Sequence, residues 1–237
     1  MTRRRWIADE ISGNQAALTG DHAAHLVRVL RARVGQEFDI GTGSQVRRGR
    51  VVNISNTRVE FELGAEVPAS NPANITLLLA IFKFDRMEWA IEKCTELGVS
   101  QIVPVIARRT DIHLAAASAK RAERWKRIAL QAAEQSRRPN PPEIAGAVKL
   151  KDALEDQSSL RIDLSEVEHN VGLSDLLDSR PDPEITLAVG PEGGWVPEEL
   201  QQFQDAGWLS ASLGSTILRA ETAAIAAVAI ASSKFGI

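Results

Sequence analysis

The chain has 237 residues, 44% hydrophobic and 25% charged, with a net charge of −3 and one cysteine, Cys94. This is ordinary for a globular protein of one large domain, or of a medium domain plus a small one. It excludes an internal disulfide, which suits a reducing compartment, and it excludes a global field that would attract nucleic acid. The basic start MTRRRWIADE has no apolar core of signal-peptide length, and the longest apolar run, 223–231, is too short to cross a bilayer. A cytoplasmic protein with no membrane partner is expected.

Residues 1–70 carry ten Lys/Arg against eight Asp/Glu, whereas the remainder is net acidic. This first part has the pattern of a small, mostly β module. A short helix starts at Asp21 and ends before Gly35. Strands follow at 37–40, 46–54 and 58–63, separated by Gly-Thr-Gly and Asn-Ile-Ser-Asn-Thr turns. Period-2 alternation puts Arg48 and Arg50 on one face of the second strand. With Arg3, Arg4, Arg5, Arg28, Arg31 and Arg33 they offer candidate phosphate contacts, the alternative being a solvated face. The stretch from Val67 to Asn74, with two prolines and small polar residues, is a linker by composition, so a domain boundary falls near residue 70.

From Ile75 the pattern becomes strands alternating with helices, which predicts an α/β domain with a mainly parallel sheet. A strand over 75–82 leads to a helix that Asp85 is expected to cap with Glu88 as capping-box partner, and Gly98 stops it. In the strand over 99–107, Pro104 points to an edge position or a bulge. Ser118 is expected to cap a long basic helix that Pro139 ends, and Arg137 and Arg138 close it as helix-terminal cations or substrate contacts. Strands near Ile144 and over 160–164 lead to the most informative stretch.

That stretch runs from Ile185 to Glu221. A buried strand, 185–189, empties into Gly190-Pro191-Glu192-Gly193-Gly194, where absent Cβ atoms let a ligand approach the main chain. Pro197 opens a helix with acids in its first turn, Gly207 closes it, and a strand over 208–213 empties into Gly214-Ser215-Thr216-Ile217-Leu218-Arg219. Two such strand–loop–helix units place both loops at the carboxyl edge of one sheet, where open α/β sheets bind ligands. Neither loop is a dinucleotide fingerprint or a P-loop. The four histidines show no metal-ligand spacing with Cys94, so no metal is expected, and Cys94 suits a core position.

Taken together, GPEGG (190–194) and LGSTILRAETA (213–223) resemble the RsmE-type branch of the SPOUT methyltransferases, the ribosomal small-subunit RNA (uracil-N3)-methyltransferases. HLVRVLRARVG (25–35), KFDRMEWAIEKCTELGV (83–99), RRT (108–110) and the spaced RW, AAEQSRR and Pro residues over 124–142 extend the resemblance over nearly the whole chain. It implies a PUA-like RNA-binding β-barrel over 1–70. Over 73–237 it implies a SPOUT-type parallel sheet with a carboxyl-terminal trefoil knot that holds S-adenosylmethionine. The cofactor residues would be Leu164, Gly190, Pro191, Glu192, Gly193, Gly194, Leu213, Gly214, Ser215, Ile217 and Leu218. RNA would be held by Arg4, Arg28, Arg31, Arg48, Arg50 and Arg137. The implied partners are 16S ribosomal RNA within the small subunit and a second copy of the chain, with the alanine-rich last helix at the interface or in the core.

Uracil N3 is a poor nucleophile until it loses its proton. Arg219, and Arg138 or Arg137, are therefore candidates to stabilise the developing uracilate charge. Glu192 or Glu221 is a candidate proton acceptor, burial being what makes a carboxylate a stronger base, while Glu221 also suits simple charge complementation at a helix start. The rival expectations are a SPOUT enzyme acting on a ribose 2′-hydroxyl or a transfer-RNA guanine, and a non-catalytic RNA-binding assembly factor.

Overall fold

The computed structural model describes residues 5–43, 45–67, 74–155, 158–168, 170–179 and 184–234. Arg3 and Arg4, the core of the expected linker at 68–73, and His169 lie outside them. Two compact units are present: Met1–Ser70 with Ala133–Pro141, and Asn71–Ala132 with Pro142–Ile237.

The first unit contains β1 (Arg5–Ile7), β2 (Glu10–Ser12), β3 (Gln15–Thr19), α1 (Gly20–Arg28), β4 (Glu37–Gly41), β5 (Val46–Ile54) and β6 (Arg58–Val67). The sheet order is β1-β4-β5-β6-β3-β2, antiparallel except where β1 meets β4. The three strands before α1 are absent from the sequence-based expectation. They are too short to show a period, and they close the sheet. Residues 5–12 leave one edge and join the other, with Ala8 N–H donating to Gly41 C=O at 3.0 Å and Asp9 N–H to Ala17 C=O at 3.0 Å. Trp6, Leu18, Leu26, Phe38, Ile40, Val59 and Phe61 fill the interior, with Phe38 and Phe61 edge to face at 6.2 Å.

The segment 133–141 is part of this unit. Asn140 Nδ2 donates to Gly43 C=O, and a Cβ built on Gly41 would stand 2.3 Å from Pro139 O. The lack of a side chain at Gly41 is therefore what lets the segment carrying Arg137 and Arg138 lie against the β4–β5 turn.

The second unit contains β7 (Asn74–Ala80), α2 (Phe84–Glu96), β8 (Gln101–Ile106), most of α3 (Ile112–Gln135), β9 (Glu143–Ile144), β10 (Val148–Lys149), α4 (Leu150–Ala153), β11 (Leu160–Leu164), α5 (Leu173–Ser179), β12 (Glu184–Val189), α6 (Pro197–Asp205), β13 (Leu209–Ala211) and α7 (Ala220–Lys234). The sheet runs β10-β8-β7-β12-β11-β13, with β9 also on β8, and every pairing is parallel. Ile75, Leu77, Leu79, Ile185 and Leu187 bury one face against α2 and α7; Leu78, Ala80, Val105 and Ala188 belong to the core of the other face with α4 and α6. Both faces are covered, which is why these strands are apolar throughout rather than alternating.

Three local expectations are corrected. Lys83, not Asp85, is the cap position of α2, with no side-chain cap bond. Glu88 instead takes Arg124, whose Nε and Nη2 lie 2.7 and 2.8 Å from its oxygens, because a bidentate guanidinium outcompetes a backbone N–H. Ser118 is inside α3 and bonds Ala115 C=O; the helix is capped by Asp111, whose Oδ1 accepts His113 N–H at 2.7 Å. Pro104 is in an internal strand. Ile102 C=O accepts Ala145 N–H on the β9 side, so by alternation the N–H that proline lacks would face the gap between β9 and β10.

Between β11 and β13, Asp163 is buried with the Ser210 hydroxyl 2.9 Å from both carboxyl oxygens. Burial pushes its pKa up from 3.8 to about 6, against the pull of the Ser210 hydrogen bond.

Two outcomes follow from these contacts. Gly41→Ala should destabilise the first unit by about 1–3 kcal/mol, because Pro139 O must move. Amide exchange over 136–140 should accelerate; unchanged protection there would mean the segment is not seated by Gly41. Because Asp163 titrates higher folded than unfolded, its protonated form carries the stability. That contribution is complete below pH 3.8 and lost as pH rises through about 6. Urea unfolding from about pH 4 to about pH 7 should show this decline, and Asp163→Asn should flatten it; equal slopes in both proteins would remove Asp163 as its source.

Candidate cofactor and catalytic site

The site is built by strand order. β11 is flanked by β12 and β13, all three parallel, so the loops that leave them emerge at one edge. The loops are also joined to each other. Ser165 N–H donates to Ala211 C=O at 3.0 Å, Ser212 N–H to Val171 C=O at 2.8 Å, and Leu173 N–H to Ser212 C=O at 2.9 Å.

Together they enclose a cavity of about 300 Å³. Of the cofactor residues that the resemblance implies, Leu164, Gly190, Pro191, Glu192, Gly194, Leu213, Gly214, Ser215, Ile217 and Leu218 line it. Gly193 lies one residue outside the lining, and its carbonyl accepts Arg109 Nη1. Gly194 has φ of +70°, a backbone that a side chain would strain, and a Cβ there would also displace the Glu166 carboxylate, 2.8 Å away.

Sequence reasoning missed the first loop beyond Leu164, namely Ser165, Glu166 and Val167, and also Trp195 and Leu200. The first loop has no glycine signature to mark it. Trp195 had a usable signal: it follows GPEGG directly and packs on Phe203 at 5.0 Å, which in turn meets Trp208 at 5.1 Å. This aromatic column fixes α6 beneath the cavity.

The catalytic candidates separate. Glu192 is exposed at the cavity, and Arg219 is exposed immediately after Leu218, with its carbonyl accepting Ala223 N–H at the start of α7. Glu221 is buried, with Arg86 Nε 3.7 Å from its Oε1. Arg138 belongs to the first unit, where burial draws its pKa down to about 10. Arg137 adjoins it with φ of +62°.

The other arginines expected to meet RNA are distributed through the first unit. Arg28, Arg31 and Arg50 are exposed. Arg48 is engaged by Glu37 at 3.6 Å and Asp39 at 3.4 Å, so part of its charge is matched within the module. Arg5, on β1, has its pKa lowered by burial, with Asp39 opposing and Arg137 adding to the shift. Among the described residues no cluster of His, Cys, Asp and Glu could hold a metal ion, and no helix is long and apolar enough to cross a membrane.

Comparison with known proteins gives this site a context. Residues 69–232 match the model of an RNA methyltransferase domain, and residues 18–64 that of an RNA methyltransferase PUA domain. The ribosomal RNA small subunit methyltransferase E of Rickettsia conorii is 33% identical over 90% of this chain and 87% of its own length. That of Aquifex aeolicus is 33% identical over 94% and 96%. The crystal structure of the Neisseria gonorrhoeae methyltransferase E bound to S-adenosylmethionine superposes with a TM-score of 0.83 at 32% identity, covering 96% of each chain. A methyltransferase structure from Legionella pneumophila in complex with S-adenosylmethionine gives 0.84 at 27% identity, covering 98% of each. With a family model spanning most of its length and relatives above 30% identity along nearly all of it, the chain belongs to the RNA methyltransferase family, in the branch of ribosomal RNA small subunit methyltransferase E.

Proposed function

We propose that this chain transfers a methyl group from S-adenosylmethionine to N3 of one uridine in 16S ribosomal RNA. The coarse activity, cofactor-dependent methylation of ribosomal RNA, goes with the family. The uridine, its N3 position and the residue roles are the inference. The observation that carries it is the cavity at the ends of β12, β11 and β13.

The lining fits that cofactor. It is formed largely by glycine, proline and small or aliphatic residues, with Trp195, and the charged residues among those that line it are Glu166 and Glu192. Two carboxylates and no cation at the wall favour a sulfonium over an anionic nucleotide. Loop backbone at Gly190–Gly194 and at Leu213–Leu218 would hold the adenosine part, with Leu164, Leu213 and Leu218 against the base. When bound, S-adenosylmethionine supplies an electrophilic methyl group.

The protein must then present a deprotonated uracil nitrogen in line with that methyl. Arg219, beside the mouth, would face O2 or O4 and balance the charge that develops there; Arg138 is the second candidate for that role. Glu192, the one of the two candidate carboxylates that lines the cavity, would accept the N3 proton, although it is exposed and lacks the burial expected of such a base. The target base has to leave its stack to reach such a cavity. Exposed Arg28, Arg31, Arg50 and Arg137, with Arg48 and Arg4, would hold phosphates.

Several wider assignments belong to the same proposal. Residues 1–70 would be the RNA-binding domain and 73–237 the methyltransferase domain. A carboxyl-terminal trefoil knot belongs to this proposal; the bonding of Ser212 to Val171 and Leu173 lays the segments after β11 and β13 side by side, as such a knot requires. The half-buried apolar side chains of α7 (Ala223, Ile225, Ala226 and Ile230) support a homodimer. The small ribosomal subunit as substrate, and a cytoplasmic location, complete it.

The test is to incubate the protein with labelled S-adenosylmethionine and small subunits lacking the modification, then digest the RNA to nucleosides. Label should appear in 3-methyluridine. Label in a 2′-O-methylated nucleoside or methylguanosine would move the chain to another target, and no label with no cofactor binding would make it a scaffold. Arg219→Ala should lower turnover by about 100-fold or more, with cofactor affinity changing much less. Unchanged turnover would remove Arg219 from the mechanism.

A further inference from the structure

Glu199 stands in the first turn of α6 and is 2% exposed, yet it is not itself among the residues that line the cavity at which the cofactor would sit. A buried carboxylate is expensive unless both oxygens find donors. Both do, and the donors come from different parts of the chain. Oε2 accepts Val196 N–H at 3.0 Å, closing the start of its own helix. Oε1 accepts Arg108 N–H at 2.8 Å, from the turn that follows β8.

That turn is itself fixed. Thr110 Oγ1 accepts Ala107 N–H at 3.1 Å and donates to Ile81 C=O at 3.1 Å, so it is anchored to the end of β7. The same turn reaches the glycine loop a second time, through Arg109 Nη1 on Gly193 C=O. A Cβ on Gly193 would come 2.9 Å from Arg109 Cδ, so the arginine lies flat across the loop. The stretch 190–196 is thereby fastened near its middle by Arg109 and at its end by Glu199. Between and beside these fastenings lie Gly190, Pro191, Glu192, Gly194 and Trp195, all of which line the cavity.

We propose that Glu199 is a positioning residue for the cofactor: its buried carboxylate clamps the Gly190–Val196 loop to the turn after β8 and so holds the cavity wall in its binding shape. The proposal rests on the reading of this cavity as the S-adenosylmethionine site. Its chemistry is specific to a carboxylate. Both partners are N–H donors, and a carboxylate offers an acceptor to each, whereas the amide of glutamine must turn an NH2 group toward one of them. Glu199→Gln therefore keeps the volume and loses one arm of the clamp, leaving a buried backbone N–H without its acceptor.

The test compares wild type, Glu199→Gln and Arg109→Ala. Three readouts are needed: S-adenosylmethionine affinity by calorimetry, thermal unfolding, and amide exchange over 190–196 in the ligand-free protein. Glu199→Gln should weaken cofactor binding by about tenfold, the equivalent of one lost charge-assisted hydrogen bond, and speed exchange across the loop. Arg109→Ala, at an exposed position, should do the same to a smaller extent. The double variant should lose less than the sum, because both fastenings hold one loop.

Glutamine at 199 with normal affinity and normal exchange would overturn the clamp. So would a lowered melting temperature alone, since a residue that only supports the fold leaves affinity in the folded protein unchanged. If wild type itself fails to bind S-adenosylmethionine, the cofactor assignment falls and takes the positioning role with it, while unaltered exchange in the two variants would reject the clamp independently of that assignment. Should Glu199→Gln not fold, Arg109→Ala decides: unchanged affinity and exchange there count against the clamp.

Discussion

The site depends on one feature of backbone pairing: β11 is bonded in parallel to β12 on one side and to β13 on the other. Parallel strands send their outgoing loops to the same edge, and adjacent ones send them to the same place. Loops from residues 165, 190 and 212 onward, far apart in sequence, therefore become neighbours with no long side chain needed to draw them together. Short backbone bonds among Ser165, Ala211, Ser212, Val171 and Leu173 then lock the arrangement. What the sequence must supply is apolar strands that can be buried on both faces and glycines where the loops crowd. Ile185–Val189 and Gly190–Gly194 meet both demands.

The first unit solves a different problem. A six-stranded sheet has two edges to protect, and the run from Arg5 to Ser12 covers them by pairing with β4 and then with β3. The same unit takes in the segment after α3, so that Arg137 and Arg138 are presented from a turn seated on Gly41 and Gly43 rather than from a free helix end. A left-handed backbone at Arg137, unusual for a side chain of that size, fits a residue whose direction is set by its neighbours.

Much of this was legible beforehand, for identifiable reasons. The strand–loop–helix units around GPEGG and LGSTILR announce themselves through apolar runs ending in glycine; the choice of cofactor residues came from the family resemblance, and ten of those eleven stand in the cavity lining. Signals weaker than a neighbouring interaction misled. Glu88 has the spacing of a capping box, but a guanidinium 36 residues away offers two charge-assisted bonds. Ser118 is a good cap residue, yet Asp111 lies seven residues earlier and caps first. Short strands such as β1 and β2 have no readable period because three residues cannot show one. Glu199 was legible only as a first-turn acid; its partner, Arg108, is 91 residues away and donates from its backbone, where no side-chain pattern can reveal it.

The parallel sheet is longest in its middle, with seven residues in β7 and six in β12, and shortest at its margins. β9 and β10 have two residues each, on either side of the gap that Pro104 faces, and β13 has three. Among the described residues, neither margin thus exposes a run of unpaired amides and carbonyls long enough to template another strand, and at one of them a proline withholds a donor. The interior strands are the kind of β-rich apolar segments that aggregate when laid bare. Tapered borders give such a sheet little free backbone through which to recruit a second copy edge to edge.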